Sequence, residues 1–127
     1  MPAYAAAVAE AALPAGAVVV DVGCGTGRAL PDGGVDAVFA AGLLTHLPDP
    51  EAGLRELARI TRPGGTLVLF HPSGRAALAA RHGRALRPDE PLAETPLRAS
   101  ADRTGWTVTT YDDPPHRFFA TAVRRAL

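Results

Sequence analysis

The chain has 127 residues, of which 47% are hydrophobic and 20% are charged, the balance of one ordinary globular domain. The formal net charge is zero, which argues against nucleic acid or a membrane surface bound mainly by bulk electrostatic attraction. Cys24 has no partner for a disulfide, and no apolar run is long enough to cross a bilayer. We therefore expect a cytoplasmic protein with a single domain over residues 1–127.

The first part of the chain predicts one helix followed by two buried strands. Small apolar residues recur at helical spacing between positions 4 and 13. Residues 17–22 and 35–41 are short, Val-rich apolar runs, a pattern typical of parallel strands that are buried on both faces. The connection between the two runs is short and ends in a Pro-Asp-Gly-Gly turn at 31–34.

A capped helix and a third strand follow. Asp49 is the predicted N-cap of a helix that begins at Pro50. The Pro-Gly-Gly segment at 63–65 is predicted to end that helix, and residues 66–70 predict a third buried strand. The inward stripe of the helix is predicted to contain Leu54, Leu57, Ala58 and Thr61.

The last third of the chain predicts two further helices and a hairpin. Ser73 is the predicted cap of a short helix, and Thr95 is the predicted cap of a helix over 96–104. Residues 106–111 and 118–123 predict two antiparallel strands joined by a short loop. Strand and helix alternation that ends in a hairpin predicts an α/β domain with a mostly parallel sheet and helices on its faces.

A glycine-rich loop follows the first strand. Residues 18–27 read VVVDVGCGTG, so the strand ends beside Asp21. Glycines allow a tight turn and let backbone N–H groups approach a ligand closely. The dinucleotide fingerprint G-x-G-x-x-G would require a glycine where this chain has Arg28. The pattern favours a ligand loop of another kind, with a purely structural turn as the alternative. The three glycines are Gly23, Gly25 and Gly27.

With this loop the sequence resembles the class I S-adenosylmethionine-dependent methyltransferases, in particular the type 11 group. The D-x-G-x-G-x-G run at 21–27 matches the first motif of that family, and the similarity continues in the family's order through 30–39, 44–50 and 62–69. The resemblance covers about two-thirds of the chain and implies an abbreviated Rossmann-like methyltransferase fold. Its parts are the glycine-loop motif at 17–27, the second half of the family core at 31–72, and a C-terminal helix and hairpin at 95–125.

The resemblance also implies where a methyl donor binds. S-adenosylmethionine would lie across the carboxyl ends of the strands, with Asp21 near its amino group and Ala41 and Leu43 beneath its methyl. His46 is the first candidate for a catalytic residue, and His71, at the end of the third predicted strand, faces the same crevice. The glycine-loop residues near the methionine part would be Gly23, Cys24, Gly25 and Gly27. The predicted acceptor is a small molecule.

One departure from the family pattern has consequences for binding. Members of the family have the rest of a first helix, two strands and another helix between the glycine loop and the Pro-Asp-Gly turn. The acidic residues that hold the ribose and the adenine lie in that segment. This chain has no counterpart, so the join at 28–31 looks like an internal deletion. Two missing charge-assisted anchors predict donor binding weaker by about two orders of magnitude or more. The strand at 17–22 would also become a sheet edge, which predicts self-association.

Several alternatives remain open on the sequence. One is a non-catalytic methyltransferase-like remnant that serves as a binding or interaction module, and another is a nucleotide-binding oxidoreductase module. No spacing of histidines and Cys24 predicts a metal site. Trp106, Phe118 and Phe119 are predicted core residues. The arginines predicted to lie on a solvated surface are Arg75, Arg81, Arg84 and Arg87.

Overall fold

The computed structural model of the protein describes residues 19–22, 33–41, 49–71, 73–87, 89–114 and 117–126. Within these ranges one five-stranded sheet is flanked by helices, with the strand order β1-β2-β3-β5-β4. The strands are β1 (Val19–Val22), β2 (Val35–Ala41), β3 (Thr61–His71), β4 (Trp106–Asp112) and β5 (Phe118–Arg124). The helices are α1 (Pro50–Ile60), α2 (Arg75–Arg81) and α3 (Glu94–Arg103). None of these helices is long and apolar enough to span a membrane.

The first three strands are parallel neighbours, as the apolar runs predicted. Val22 of β1 pairs with Ala40 of β2, and Ala41 of β2 pairs with Phe70 of β3. Strand β2 is almost inaccessible to solvent along its centre, where Val38 is fully buried. Burial on both faces explains why β2 is a continuous apolar run and does not alternate.

The predicted C-terminal hairpin is present and extends the sheet beside β3. Strand β5 pairs antiparallel with β3 on one side and with β4 on the other. Phe119 lies opposite Phe70, so the hairpin continues the apolar surface of β3. The register between β4 and β5 shifts between Val108 and Thr110. The strand order places β4 at one edge of the sheet, and the register shift is an irregularity in this edge strand.

Helix α1 begins where its capping sequence predicted but ends earlier. Asp49 Oδ1 accepts a hydrogen bond from the Ala52 N–H at 3.2 Å, and Pro50 occupies the first turn. The helix ends at Ile60, and β3 begins at the next residue, so the prediction that residues 63–65 end the helix is wrong. These residues lie inside β3, where the register with β2 shifts. Since Gly65 has no side chain, β3 can pass close to β2 at this point.

The predicted caps of the other two helices are wrong. Gly74, which makes no side-chain cap bond, precedes α2, and the N–H of Arg75 at the start of the helix is donated to Asp113 instead. Thr95 lies inside α3, whose N-cap is Ala93. Thr104 is the C-cap of α3, and Gly105 follows it with a positive φ of 96°. Glycine adopts this backbone conformation more readily than other residues.

The main hydrophobic core lies between the sheet and helices α1 and α3. Trp106 is fully buried at its centre and donates its indole N–H to the carbonyl of Leu54, at 3.0 Å. Leu97 and Ala101 of α3 pack into the same cluster. A second, smaller cluster lies on the other face of the sheet and contains Phe39, Val68, Phe70 and Phe119. The prediction that Trp106, Phe118 and Phe119 are core residues is confirmed.

Candidate functional site

The carboxyl ends of the three parallel strands meet at one edge of the sheet. Val22 ends β1, Ala41 ends β2 and His71 ends β3. The register places the last residues of neighbouring strands within one position of each other. The carboxyl ends of these strands therefore lie side by side, at the edge where open α/β sheets bind their ligands. We call this region the carboxyl edge.

Two of the residues predicted to bind the donor belong to described strands. Asp21 is next to last in β1, where it pairs with Phe39, and Ala41 is the last residue of β2. The fold therefore brings both backbone positions to the carboxyl edge. The remaining predicted site residues lie outside the described residues; they are Gly23, Cys24, Gly25, Gly27, Leu43 and His46.

His71 occupies the carboxyl edge with a defined hydrogen-bond partner. Its ring is half-buried, and the backbone N–H of Ser73 is donated to Nδ1 at 3.0 Å. Nδ1 also lies 3.1 Å from the carbonyl oxygen of Ser73. Arg81, at the end of α2, donates a hydrogen bond to the Ser73 hydroxyl. The turn after β3 thus fixes the orientation of the imidazole at the place where a ligand would bind.

An ion pair joins the start of α2 to the loop of the hairpin. Asp113 accepts two hydrogen bonds from Arg75, one from the backbone N–H at 2.8 Å and one from Nε at 3.0 Å. Only 16% of the Arg75 side chain and 14% of the Asp113 side chain are exposed. The prediction that Arg75 is solvated is therefore wrong, because the hairpin loop covers it.

The segment after α2 is attached to the same pair. Glu90 lies 3.8 Å from Nη1 of Arg75 and 3.2 Å from Nη1 of Arg84. Glu90 also accepts the backbone N–H of Arg87 at 2.9 Å. Nη1 of Arg75 is buried and has no hydrogen-bond partner within the described ranges, since the contact with Glu90 is too long for one. Arg81, Arg84 and Arg87 are exposed, as predicted.

Tyr111 connects the hairpin to the segment before α3. Its hydroxyl donates to the carbonyl of Leu92 at 2.6 Å, and its ring meets Phe118 edge-on at 5.5 Å. Burial of the hydroxyl raises the pKa of Tyr111, and the nearby Arg75 guanidinium partly opposes that shift. Tyr111 therefore stays neutral at ordinary pH and acts as a hydrogen-bond donor that holds the segment in place.

A separate groove of about 380 Å³ lies on the outer surface of the hairpin. The hydroxyls of Thr109, Thr110 and Thr121 line it and bond to one another, at 2.7 Å and 2.6 Å. Arg117 stands 4.9 Å from the ring centre of Phe119 and donates to Asp112 at 2.6 Å. These polar groups already satisfy one another, so we assign the groove no role.

No group of three or more metal-binding side chains occurs in the portion of the chain that the structure describes. Sequence reasoning missed both the Arg75–Asp113 pair and the role of Tyr111. No local signal could have found the pair, since its partners are 38 residues apart in the chain. For Tyr111, its position in a predicted strand indicated only an aromatic residue of the sheet.

Comparison with protein families gives a match over just over half of the chain. A sequence model of the family described as "Methyltransferase domain" matches residues 4–69, which include the glycine loop and all three parallel strands up to Leu69. The match ends before α2, so it covers the donor half of the predicted site and not the hairpin.

Curated relatives match shorter segments. A demethylmenaquinone methyltransferase of Mycolicibacterium vanbaalenii is 55% identical over 38 residues, which are 30% of this chain and 17% of that protein. A methyltransferase of Claviceps purpurea is 35% identical over 85 residues, which are 67% of this chain and 23% of that protein. The matched part of this chain thus spans about a fifth of the length of these relatives.

A solved structure extends the fold similarity to almost the whole chain. It is an S-adenosylmethionine-dependent methyltransferase of Thermotoga maritima, described as a possible histamine N-methyltransferase, with a TM-score of 0.68. The similarity covers 98% of this chain and 89% of that one at 15% sequence identity, which shows a shared fold.

Proposed function

Because the chain belongs to the type 11 methyltransferase domain family, whose members are S-adenosylmethionine-dependent, we propose that it binds this donor and transfers its methyl group to a small molecule. The observation that carries the proposal is the meeting of β1 and β2 at the carboxyl edge. It brings Val22, after which the sequence continues into the glycine-rich run, to within one position of Ala41 at the end of β2. A glycine loop at the end of a buried parallel strand suits close backbone contact with a ligand.

In this proposal the chain's residues take the roles that the resemblance to the family implies. Asp21 supplies a carboxylate for the amino group of the donor, and the four predicted loop residues surround its methionine part. Ala41 and Leu43 are assigned to the floor beneath the methyl group, where uncharged, apolar side chains are suitable. His46 lies on the acceptor side. When bound, the donor supplies an electrophilic methyl group on a positively charged sulfur.

The rate enhancement would come mainly from alignment. Holding a nucleophile in line with a reactive methyl removes the entropy cost of bringing two molecules together in the right orientation. That cost is a large part of the barrier in such transfers. The chain's own contribution is therefore a rigid floor at the carboxyl edge, where β2 is buried on both faces. The demethylmenaquinone methyltransferase relative makes a quinone in its reduced, hydroquinone form one acceptor worth testing, because the reduced form is the nucleophile.

Isothermal titration with S-adenosylhomocysteine tests donor binding directly. We expect saturable binding in the wild type and none in Gly25→Val, because a branched side chain would occupy the space through which the backbone approaches the ligand. We expect the affinity for S-adenosylhomocysteine to be about two orders of magnitude below that of family members that have acidic residues for the ribose and the adenine. Those two charge-assisted anchors have no counterpart in this chain. Circular dichroism of both proteins controls for folding. Absence of binding in a folded wild type would overturn the proposal.

A further inference from the structure

The chain between β3 and α3 leaves the sheet at the carboxyl edge and returns to it there. It starts after His71, the last residue of β3. Strand β4 runs parallel to β3, because both pair antiparallel with β5, so β4 also ends at this edge. Tyr111, next to last in β4, donates its hydroxyl to the carbonyl of Leu92, shortly before α3 begins. Both ends of this excursion therefore lie at the edge to which the proposed function assigns the ligands.

Both ends of the excursion are attached to the hairpin. At its start, Gly74 packs so closely against the carbonyl of Pro114 that a side chain would not fit. Arg75, the first residue of α2, makes two hydrogen bonds to Asp113 of the hairpin loop. The excursion is therefore anchored at its start by Arg75 and at its end by Tyr111.

The middle of the excursion, in contrast, has little apolar contact with the rest of the protein. We call residues 82–87 and 89–91 the strap. Its residues are exposed apart from Glu90, and its large apolar residue, Leu86, is 43% exposed. Segments with few buried apolar contacts open at a low cost in free energy, without unfolding of the domain. The strap therefore depends on polar contacts to keep its position.

Glu90 makes the contacts that join the strap to itself and bring it toward α2. Oε2 accepts hydrogen bonds from Nη1 of Arg84 at 3.2 Å and from the backbone N–H of Arg87 at 2.9 Å. Oε1 lies 3.8 Å from Nη1 of Arg75, about 1 Å beyond an ordinary hydrogen bond. That Nη1 is buried and has no hydrogen-bond partner among the described residues. Since a buried donor without a partner is costly, a small movement of the strap toward α2 would be favourable.

We propose that the strap opens and closes over the carboxyl edge, and that Glu90 holds it closed by accepting a hydrogen bond from Nη1 of Arg75. The inference rests on the proposed function, in which the closed strap excludes water from the acceptor side of the site. Opening lets ligands enter, and a ligand enclosed by the strap shifts the population toward the closed state. Arg75 suits this role because Asp113 already fixes its guanidinium, so only the strap has to move.

Native-state digestion with trypsin tests the opening without any ligand. The strap contains Arg84, followed by Ala85, and Arg87, which is protected from trypsin by Pro88. Cleavage after Arg84, identified by mass spectrometry, therefore reports an open strap, whereas cleavage after Arg98, inside α3, reports global unfolding. We expect cleavage of the wild type after Arg84 to stay nearly constant at low urea, because local opening exposes little surface, while cleavage after Arg98 rises steeply.

Two variants test the contact that holds the strap. Glu90→Ala should speed cleavage after Arg84 about 10-fold, the effect of losing a hydrogen bond between charged groups. Arg75→Lys should speed it about threefold or more, because a single ammonium nitrogen does not reach Asp113 and Glu90 together as the planar guanidinium does. Arg75→Lys leaves the pair of Arg84 and Glu90 intact, so it isolates the contact with α2 from the contacts within the strap.

Asp89→Ala is the matched control. Asp89 precedes Glu90 in the strap, but its carboxylate pairs with the exposed Arg87. Cleavage of this variant in the strap should stay within about twofold of the wild type. Wild-type rates in both Glu90→Ala and Arg75→Lys would overturn the inference, as would a steep urea dependence of cleavage in the strap. A faster rate in Glu90→Ala alone would also overturn it, since Arg75 would then not hold the strap.

A ligand separates this inference from the proposed function. Saturating S-adenosylhomocysteine should slow cleavage in the strap of the wild type about threefold or more, and less in Glu90→Ala. If the wild type binds this compound in a titration but is cleaved at an unchanged rate, the strap does not enclose the site, and the proposed function stands. If a folded wild type does not bind it, the proposed function is overturned, while the variants still decide whether Glu90 holds the strap.

Discussion

Trp106 donates its indole N–H to the main-chain carbonyl of Leu54 across 52 positions of sequence, at 3.0 Å. The bond joins the first residue of β4 to the middle of α1, and both residues are fully buried. It therefore ties the hairpin, which lies beyond the family match, to the helix that packs beneath the parallel strands. The hairpin is an integral part of the same core and not an appended element.

Replacing Trp106 by Phe should test this link. The variant loses a buried hydrogen bond and part of the indole volume, so we expect destabilisation of about 2–4 kcal/mol. Urea unfolding followed by circular dichroism measures the effect, since Trp106 is the only tryptophan and fluorescence would be lost. Thr107→Ala, at the exposed neighbouring position, is the control and should change stability by less than about 0.5 kcal/mol.

The Arg75–Asp113 pair should contribute far more to stability than an exposed pair of the same chemistry. Asp113→Ala leaves a largely buried guanidinium without its two hydrogen bonds, which should cost about 1.5–3 kcal/mol. Arg87 and Asp89 form a matched pair whose side chains are 69% and 65% exposed, and Asp89→Ala should have no measurable effect. Equal unfolding midpoints for the two variants would show that the hairpin loop does not cover Arg75 in solution.

Sequence patterns predicted the parallel strands and the Asp49 cap because both depend on neighbouring residues. Val-rich apolar runs are typical of parallel strands that are buried on both faces, and an Asp before Pro50 can satisfy a free helix N–H without any tertiary contact. The donor half of the site was implied by the resemblance to a family, and it stays a prediction because most of its residues lie outside the described ranges. Ser73 was misassigned because the free N–H at the start of α2, that of Arg75, has a tertiary partner, Asp113, in place of a local cap. The Arg75–Asp113 contact depends on the fold and has no local signal.

Gly65 should resist substitution because β3 passes close to β2 there. A Cβ at this position would lie 2.8 Å from the Asp36 carbonyl oxygen and 2.5 Å from the Thr61 side chain. We expect Gly65→Ala to destabilise the protein by about 1–3 kcal/mol, as in other overpacked sites. Thermal unfolding by calorimetry measures the change. Gly83→Asn is the control, because nothing lies within 4 Å and asparagine tolerates its φ of 65°.

Tyr111 should make stability fall at alkaline pH. Its folded pKa is raised by burial, so the folded state keeps the proton longer than the unfolded state does. The stability that depends on the neutral Tyr111 hydroxyl is fully present below the unfolded pKa of about 10. It is lost as the pH rises through the pKa of Tyr111 in the folded state. Urea unfolding of wild type and Tyr111→Phe across this range should show a smaller loss in the variant. The chain has no lysine to obscure the comparison. If the free energies of unfolding of the wild type and Tyr111→Phe fall in parallel as the pH rises, the prediction is contradicted.

The two edges of the described sheet differ in a way that bears on self-association. Strand β4 has a shifted register beside Val108, an irregularity that hinders pairing with another chain. Strand β1 pairs with β2 in an unbroken register, and within the described ranges it has no neighbour on its other side. Its sequence, VVDV, contains neither lysine nor proline. A regular apolar edge of this kind tends to pair with a second copy.

We therefore expect the chain to self-associate through β1, with antiparallel pairing of two β1 strands across a two-fold axis. Sedimentation velocity over increasing protein concentration should show a dimer in the wild type. Val19→Lys adds charge to the edge and Val19→Pro removes a hydrogen-bond donor, so both should shift the protein toward monomer. Thr107→Lys makes the same change in β4 and should leave the dimer intact. A wild type that stays monomeric and folded at the highest concentration would show that β1 is covered within its own chain.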